Sequence, residues 1–469
     1  MVRARRDAGR RLSAHPLLDE LRAALPAGGA VLDSATSTER YRHDQAAWAE
    51  AGVPLAVVRP STPEQVRDVV VSCRRHGVPV VPRGAGSGLA GGANAVDGGV
   101  VVSTERLLGI AVDPVERLAV VGPGVLNADL RATAAEHGLW YAPDPASAAI
   151  SSIGGNVATN AGGLCCVKYG VTRDHVLAVQ LVTGAGDLVR LGRRTAKGVA
   201  GLDLLGAVVG SEGTLGVVTE VTVRLRPARP PERTVAGFFG SLVDAGEAVA
   251  AVARAGVVPS ALELMDSHCL RAVDAWKRTG LADEADTVLL ARLDAPGDAG
   301  EAEAATVEAC FAAAGATWAG RSSDEAEAEA LFDARRLVWP AVDRLGPLLT
   351  EDVCVPVGVL PRMLERVQAV AREHRLTIAT LAHVGDGNLH PLVVVPRERD
   401  GEARAAAAFE QIMDDALVLG GTITGEHGVG RLKREGLVRE LDATVLDLQR
   451  RVKAAFDPDG IMNPGVMWR

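Results

Sequence analysis

Short apolar runs punctuated by glycine and proline dominate the first half of the chain. Residues 55–58, 78–81, 99–103, 118–121, 176–182 and 217–225 are dense in valine and leucine and too short for helices, so they read as strands. Helical patterns alternate with them. Thr62-Pro63-Glu64-Gln65 offers a threonine N-cap, proline at the first helical position and glutamine at the third. Val66, Val69, Val70 and Cys73 then share one face until Gly77 stops the helix. A second helix is predicted over 128–137. The run Arg-Pro-Ala-Arg-Pro-Pro at 226–231 can continue neither a strand nor a helix and reads as the linker between two domains. Beyond it, 242–255, 301–314 and 322–337 are alanine-rich helical stretches whose acidic positions form the solvated faces of helices covering a sheet.

Composition narrows the class without naming it. A chain of 469 residues with 48% hydrophobic content is large enough for two or three domains, each with its own core. A net charge of −9 and 3% aromatic residues argue against a nucleic-acid surface, which needs cations and stacking rings. The six cysteines form no CxxC pair and suit a reducing compartment as inert core thiols. The basic first eighteen residues lack an apolar stretch behind them, so no secretory signal is expected and the cytoplasm is the default. No apolar window is long enough for a membrane span, which leaves peripheral attachment open.

Candidate chemistry concentrates in His383-Val-Gly-Asp-Gly-Asn-Leu-His390 and in Gly425-Glu426-His427-Gly428. On a helix, residues seven apart would stand about 10 Å apart, too far for two imidazoles that must each approach one ion to about 2.0–2.1 Å. Gly385 and Gly387 permit a tight turn instead, so flanking strand-like runs at 377–382 and 392–395 can double back and bring His383 and His390 together. Glu426 completes a two-histidine, one-carboxylate metal site with open positions, and His427 is left as a spare base. A lone loop histidine is ordinarily a solvated residue. The cluster is what points to a metal.

Three further segments are richer in glycine than turns require: PRGAGSG at 82–88, GGNVATNAGG at 154–163 and GSEGTLG at 210–216. Successive backbone amides in such loops form anion-binding concavities, and a long dinucleotide would use several. Gly86, Gly88 and Gly91 match the GxGxxG pattern of a nicotinamide site, with Glu105 at a plausible distance for a ribose. Only six residues separate Gly92 from the next strand at Gly99, too few for the crossover helix of that motif, so this rival is set aside.

PRGAGSG, PDPAS, IGGNVATNAGG and VVGSEGTLGVVTEVTVRL resemble the FAD-binding domain of the vanillyl-alcohol oxidase and p-cresol methylhydroxylase superfamily. HVGDGNLH, GEHGVGRLK and FDPDGIMNPG resemble the C-terminal domain of its branch of FAD-linked D-lactate dehydrogenases, glycolate oxidase subunits and D-2-hydroxyglutarate dehydrogenases. The resemblance implies an α+β fold: an N-terminal helical extension over 1–40, an FAD-binding domain of two α/β subdomains over 41–228, and a substrate and metal domain over 229–469. The last would be an antiparallel sheet covered by helices, with a C-terminal helical segment. It also implies that Arg83, Gly84, Ala85, Gly86, Ser87 and Gly88 wrap the FAD pyrophosphate, and that Pro143, Asp144, Ala146, Gly155, Asn156, Thr159 and Gly163 line the rest of the cofactor. Glu212 and Val218 would lie near its adenosine end. Some relatives link flavin covalently through a histidine in or near the first glycine loop. None lies between His76 and His137 here, so non-covalent FAD is expected. By position, Arg335 corresponds to the family's substrate-carboxylate arginine, with Arg336 the adjacent alternative. Relatives that take dicarboxylates often carry a lysine just after this region, and Glu351-Asp352-Val353-Cys354 has none, which counts against 2-hydroxyglutarate.

Together these residues form a site for oxidising an α-hydroxy acid, and the resemblance implies a D-2-hydroxy acid, D-lactate or glycolate first, converted to the 2-oxo acid. Arg335 would hold the carboxylate, a divalent ion on His383, His390 and Glu426 the hydroxyl, His427 would take the proton, Asn388 would orient either group, and hydride would pass to flavin N5. Zinc is the first choice of metal, with manganese, iron or cobalt as alternatives. The partners expected are a small 2-hydroxy acid and a quinone, cytochrome or electron-transfer flavoprotein as acceptor, with a homodimer and a partner-subunit or membrane contact as further expectations. Two rivals are a non-catalytic subunit of a larger oxidase, against which the intact histidine set counts, and a colourless metal-dependent hydrolase, which would leave the glycine loops unexplained.

Overall fold

Valine-rich runs that alternate with one amphipathic helix make the first layer, in a computed structural model that describes residues 15–322 and 324–468. A four-stranded sheet has the order Val31–Leu32, Ala56–Val58, Val100–Ser103, Val80–Arg83. The helix Pro63–Arg75 starts where the sequence places its cap, with the Thr62 side chain accepting from the Gln65 amide at 3.3 Å. Its Val66, Val69, Val70 and Cys73 are fully buried against the sheet. The predicted N-terminal extension is not wholly helical. After the helix Pro16–Ala24 it contributes the strand Val31–Leu32, and positions 1–14 lie outside the described residues. Val80–Arg83 and Val100–Ser103 are parallel neighbours although no helix connects them. Residues 84–99 make that crossover as an irregular glycine-rich loop, so parallel pairing here does without the helix that a dinucleotide motif needs.

A five-stranded antiparallel sheet follows, ordered Ile110–Asp113, Leu118–Val121, Gly216–Arg224, Val176–Thr183, Leu188–Gly192. The expected linker begins as a strand after all: Arg226–Pro227 pairs with Leu139–Trp140. Proline is tolerated in so short an edge pairing because it forfeits only one donor.

The second half is built on an eight-stranded antiparallel sheet whose central strands are Thr287–Leu293, Ala261–Asp266, Thr377–His383 and Asn388–Val394. Four helices, Leu242–Arg254, Gly297–Ala313, Leu360–Glu373 and Gly401–Val418, bury one face through Val249, Phe311, Met363 and Ile412. Glu325–Arg336 and Val338–Asp343 lie on the other face with Phe332 and Val338. The first of these starts three residues after the predicted 322, and position 323 is outside the described residues. The chain end then returns to the first domain. Met462 bridges to Val80, and the Asn463 amide donates to the carbonyls of Gly92 and Glu212 at 2.8 and 2.7 Å. Among the described residues no helix is long and apolar enough to cross a membrane.

Candidate active site

The two histidines of the first motif meet through a β-hairpin. Leu381 stands opposite His390 and His383 opposite Asn388, so with side chains alternating between faces both imidazoles project from the same side, away from the four-helix layer. Their ring centroids are 5.0 Å apart. Of the two glycines expected to make the turn, only Gly387 needs its freedom for backbone conformation, with φ of 84°. A Cβ there would also sit 1.9 Å from the Val355 carbonyl oxygen. Gly385 has no positive φ, and its smallness serves close packing against Val167.

Glu426 and His427 arrive on an irregular loop held by its own backbone. The amides of Gly425, Glu426 and His427 donate to Asp352 Oδ2 at 2.8, 2.6 and 3.2 Å, and those of Val429 and Gly430 donate to the Glu212 carboxylate at 2.8 and 2.7 Å. Two buried carboxylates from distant parts of the chain thus collect five amides. Asp352 is matched by Lys433, whose ammonium has no exposed surface and lies 2.5 Å from Asp352 Oδ1 and 3.2 Å from Glu351. Sequence reasoning noted the absence of a lysine beside Glu351 and Asp352. The fold supplies one from 81 positions away and uses it for this ion pair.

The donors fit a metal. Glu426 Oε1 lies 3.4 Å from His383 Nε2 and 3.3 Å from His390 Nε2. Two atoms each about 2.1 Å from a tetrahedral ion stand about 3.4 Å apart, so both Glu426–histidine separations suit one shared ion, and all three donors lie within 4.8 Å of one another. Burial alone would raise the Glu426 pKa, but the two imidazoles hold it well below the usual carboxylate range. His383 is also faced by Glu263, which lies 2.8 Å from its Nδ1. His427 stacks on His390 with centroids 5.1 Å apart, and burial lowers its pKa to about 4 against the partial opposition of Asp352. The imidazole is therefore neutral near pH 7 and able to accept a proton.

A single cavity of about 850 Å³ runs from the glycine loops to this cluster. Its walls include Arg83, Gly84, Ala85, Gly86, Ser87, Gly88, Asp144, Ala146, Gly155, Asn156, Thr159, Glu212 and Val218, with Arg335, His383, His390, Glu426 and His427 at the far end. The glycine cradle fits a group lying on the main chain, since Gly84, Gly86, Gly88, Gly154 and Gly155 all line the cavity without side chains, and at Gly84 the chain is so close to Ser152 that a Cβ would meet its Oγ at 2.4 Å. Several expected residues take other places. Pro143 and Gly163 stand behind the wall, where the Pro143 carbonyl accepts from Asn127 and Gly163 packs on the Asp144 carbonyl. The Arg83 guanidinium turns under its loop to the carbonyls of His43 and Ala93, so it braces the cradle. Asn388 does not line the cavity either. Its side chain packs against Gly425, whose Cβ would come within 2.4 Å of it, a place that suits support of the loop over contact with substrate.

Arg335 and Arg336 both line the cavity; Arg335 is buried with Nε 2.7 Å from Glu263, whereas Arg336 is half exposed and pairs with Asp333 and Glu329. Glu105, the would-be ribose ligand, is paired with Arg59 outside the cavity. The cysteines are not all core. Cys166, Cys310 and Cys354 are partly exposed, and Cys165 lines the cavity with its thiol against Asp144, its pKa raised by burial. Glu263, Asp352 and Lys433 were missed from sequence because each acts through a partner distant along the chain.

The C-terminal domain of FAD linked oxidases matches residues 229–467, and an FAD binding domain matches 54–192. The chain belongs to the FAD-linked oxidase family. Among members, it is 38% identical to the glycolate oxidase subunit GlcD of Bacillus subtilis (strain 168) over 89% of both chains. It is 34% identical to the D-lactate dehydrogenase of Archaeoglobus fulgidus over 92% of this chain and 96% of that one. This FAD-linked oxidase is thus an oxidoreductase related to 2-hydroxy-acid dehydrogenases and oxidases. Its fold is that of p-cresol methylhydroxylase, with a TM-score of 0.78 at 18% identity over 96% of each chain.

Proposed function

We propose that this oxidase converts a D-2-hydroxy acid, D-lactate or the achiral glycolate first, to the corresponding 2-oxo acid, using non-covalent FAD and a divalent ion, zinc by its donor set. One observation carries the reading: the His383, His390 and Glu426 donors, Arg335 and His427 converge on one end of the cavity whose other walls are the glycine loops. When bound, FAD supplies a two-electron acceptor and the ion a Lewis acid that acidifies the substrate hydroxyl. Arg335 has its Nε on Glu263 and its Nη2 3.5 Å from His383 Nδ1, which leaves the outer N–H groups of its terminal nitrogens for a carboxylate. His427 takes the hydroxyl proton at Nε2, the ring nitrogen remote from Asp352, while the hydrogen on the carbinol carbon departs with its electron pair.

The engagement of Lys433 by Glu351 and Asp352 favours a monocarboxylate over 2-hydroxyglutarate, even though a D-2-hydroxyglutarate dehydrogenase of Stutzerimonas stutzeri is 34% identical. A second reading, in which the chain is the flavin subunit of a larger glycolate oxidase, is favoured by relatives named as subunits. Anaerobic flavin bleaching with D-lactate, L-lactate, glycolate and D-2-hydroxyglutarate tests the substrate: D-lactate or glycolate should bleach fastest. Preference for L-lactate or for hydroxyglutarate would overturn the assignment. Turnover of the isolated chain with an artificial acceptor separates the two readings of its assembly.

A further inference from the structure

Glu263 has no exposed surface and sits in a strand otherwise made of buried Ala261, Leu262, Leu264, Met265 and Asp266. A buried carboxylate in such a place is costly unless it is paired and hydrogen-bonded. Its two partners come from different elements. His383 stands directly opposite it in the sheet register, with Nδ1 2.8 and 2.9 Å from the two carboxylate oxygens. Arg335, from the helix Glu325–Arg336, places Nε 2.7 Å from Oε2.

Resting on the function proposed above, we infer that Glu263 is a positioning residue that sets both grips on the substrate, the metal-facing nitrogen of His383 and the carboxylate-facing fork of Arg335. The chemistry of each partner leads there. An imidazole that donates from Nδ1 carries its lone pair on Nε2, the atom 3.4 Å from Glu426 Oε1. The Arg335 guanidinium is held through Nε on Glu263, with Nη2 3.5 Å from His383 Nδ1, so its outer N–H groups are the ones left for a substrate carboxylate. Because one carboxylate fixes both groups, it also fixes their separation. That separation acts as a ruler for an acid whose hydroxyl and carboxylate are on neighbouring carbons, and it disfavours a 3-hydroxy acid, in which they are one carbon further apart.

The test uses the FAD-loaded protein stripped of metal and titrated with zinc by equilibrium dialysis, together with steady-state kinetics after reloading. Glu263→Gln should bind zinc roughly 10- to 100-fold more weakly, the usual loss when a carboxylate behind a ligating histidine is removed. It should also show a raised KM for the 2-hydroxy acid and a reduced preference for 2-hydroxy over 3-hydroxy acids. Arg335→Lys should raise KM while zinc affinity stays within a few-fold of the parent, which separates the two arms. A purely structural role would lower the melting temperature of Glu263→Gln and leave zinc affinity and KM where they were, and that outcome overturns the inference. Should Glu263→Gln fail to retain FAD, Glu263→Asp keeps the charge on a shorter stem; parental zinc affinity and KM in it would overturn the inference equally. Failure of the parent protein to bind zinc would sink the functional reading itself, whereas zinc binding that is identical in parent and Glu263→Gln sinks only the role of Glu263.

Discussion

His427 combines three properties that a proton acceptor needs: it lines the cavity, it stacks on the proposed ligand His390, and burial holds its pKa at about 4 so that it stays unprotonated. His427→Ala should therefore lose about 10²- to 10⁴-fold in the rate of flavin reduction, measured by stopped flow, while FAD and metal content stay at parental levels. Loss of the metal along with the activity would make His427 a ligand. The sign of the pKa shift adds a check: a lowered pKa keeps the base form available, so kcat/KM should stay level across the neutral range and fall only as the pH drops toward about 4. At this scale the sequence was legible where chemistry is local. His383 and His390 are seven positions apart in a glycine turn, and Glu426 and His427 are adjacent. Glu263 was not, because what marks it is an imidazole 120 residues away and a guanidinium 72 residues away.

The loop from Thr424 to Gly430 has no regular structure, and its order comes from what receives its amides. Asp352 is kept ionised despite burial by the Lys433 ammonium and by the three loop amides it accepts, and Lys433 in turn sits between Asp352 and Glu351. Lys433→Met would leave two buried carboxylates without their cation, and removing one partner of a buried pair costs about 3–5 kcal/mol. We expect a markedly lower melting temperature and weaker metal retention, read by calorimetry and elemental analysis. A variant with parental stability would show that the loop does not depend on this pair. Glycine and strand patterns made the hairpin at 377–394 readable from sequence, whereas the loop could not be read because its partners Asp352 and Glu212 lie 73 and 217 residues or more away. The proline-rich run at 226–231 misled in a smaller way, since a proline forbids a central strand but not a two-residue edge.

At the scale of the molecule, a cavity of about 850 Å³ lies between two differently built halves, and the chain end crosses back to tie Asn463 to Gly92 and Glu212 at its edge. Fold class was legible through the family resemblance, because the motifs that carry it, such as PRGAGSG and HVGDGNLH, are short-range features. The relation of the halves was not, because it depends on pairings such as Glu212 with Val429 that no local pattern announces. None of the histidines at the cavity belongs to the first glycine loop, so acid precipitation should release intact FAD into the supernatant, measured by its absorbance and fluorescence. Flavin that stays with the precipitated chain would contradict non-covalent binding. The most direct test of the central claim is anaerobic flavin reduction by D-lactate or glycolate in FAD-replete protein, first stripped of metal and then reloaded with zinc. Bleaching that is absent after stripping and returns with zinc is the predicted result. Full-rate bleaching in a sample shown by elemental analysis to be metal-free would contradict it.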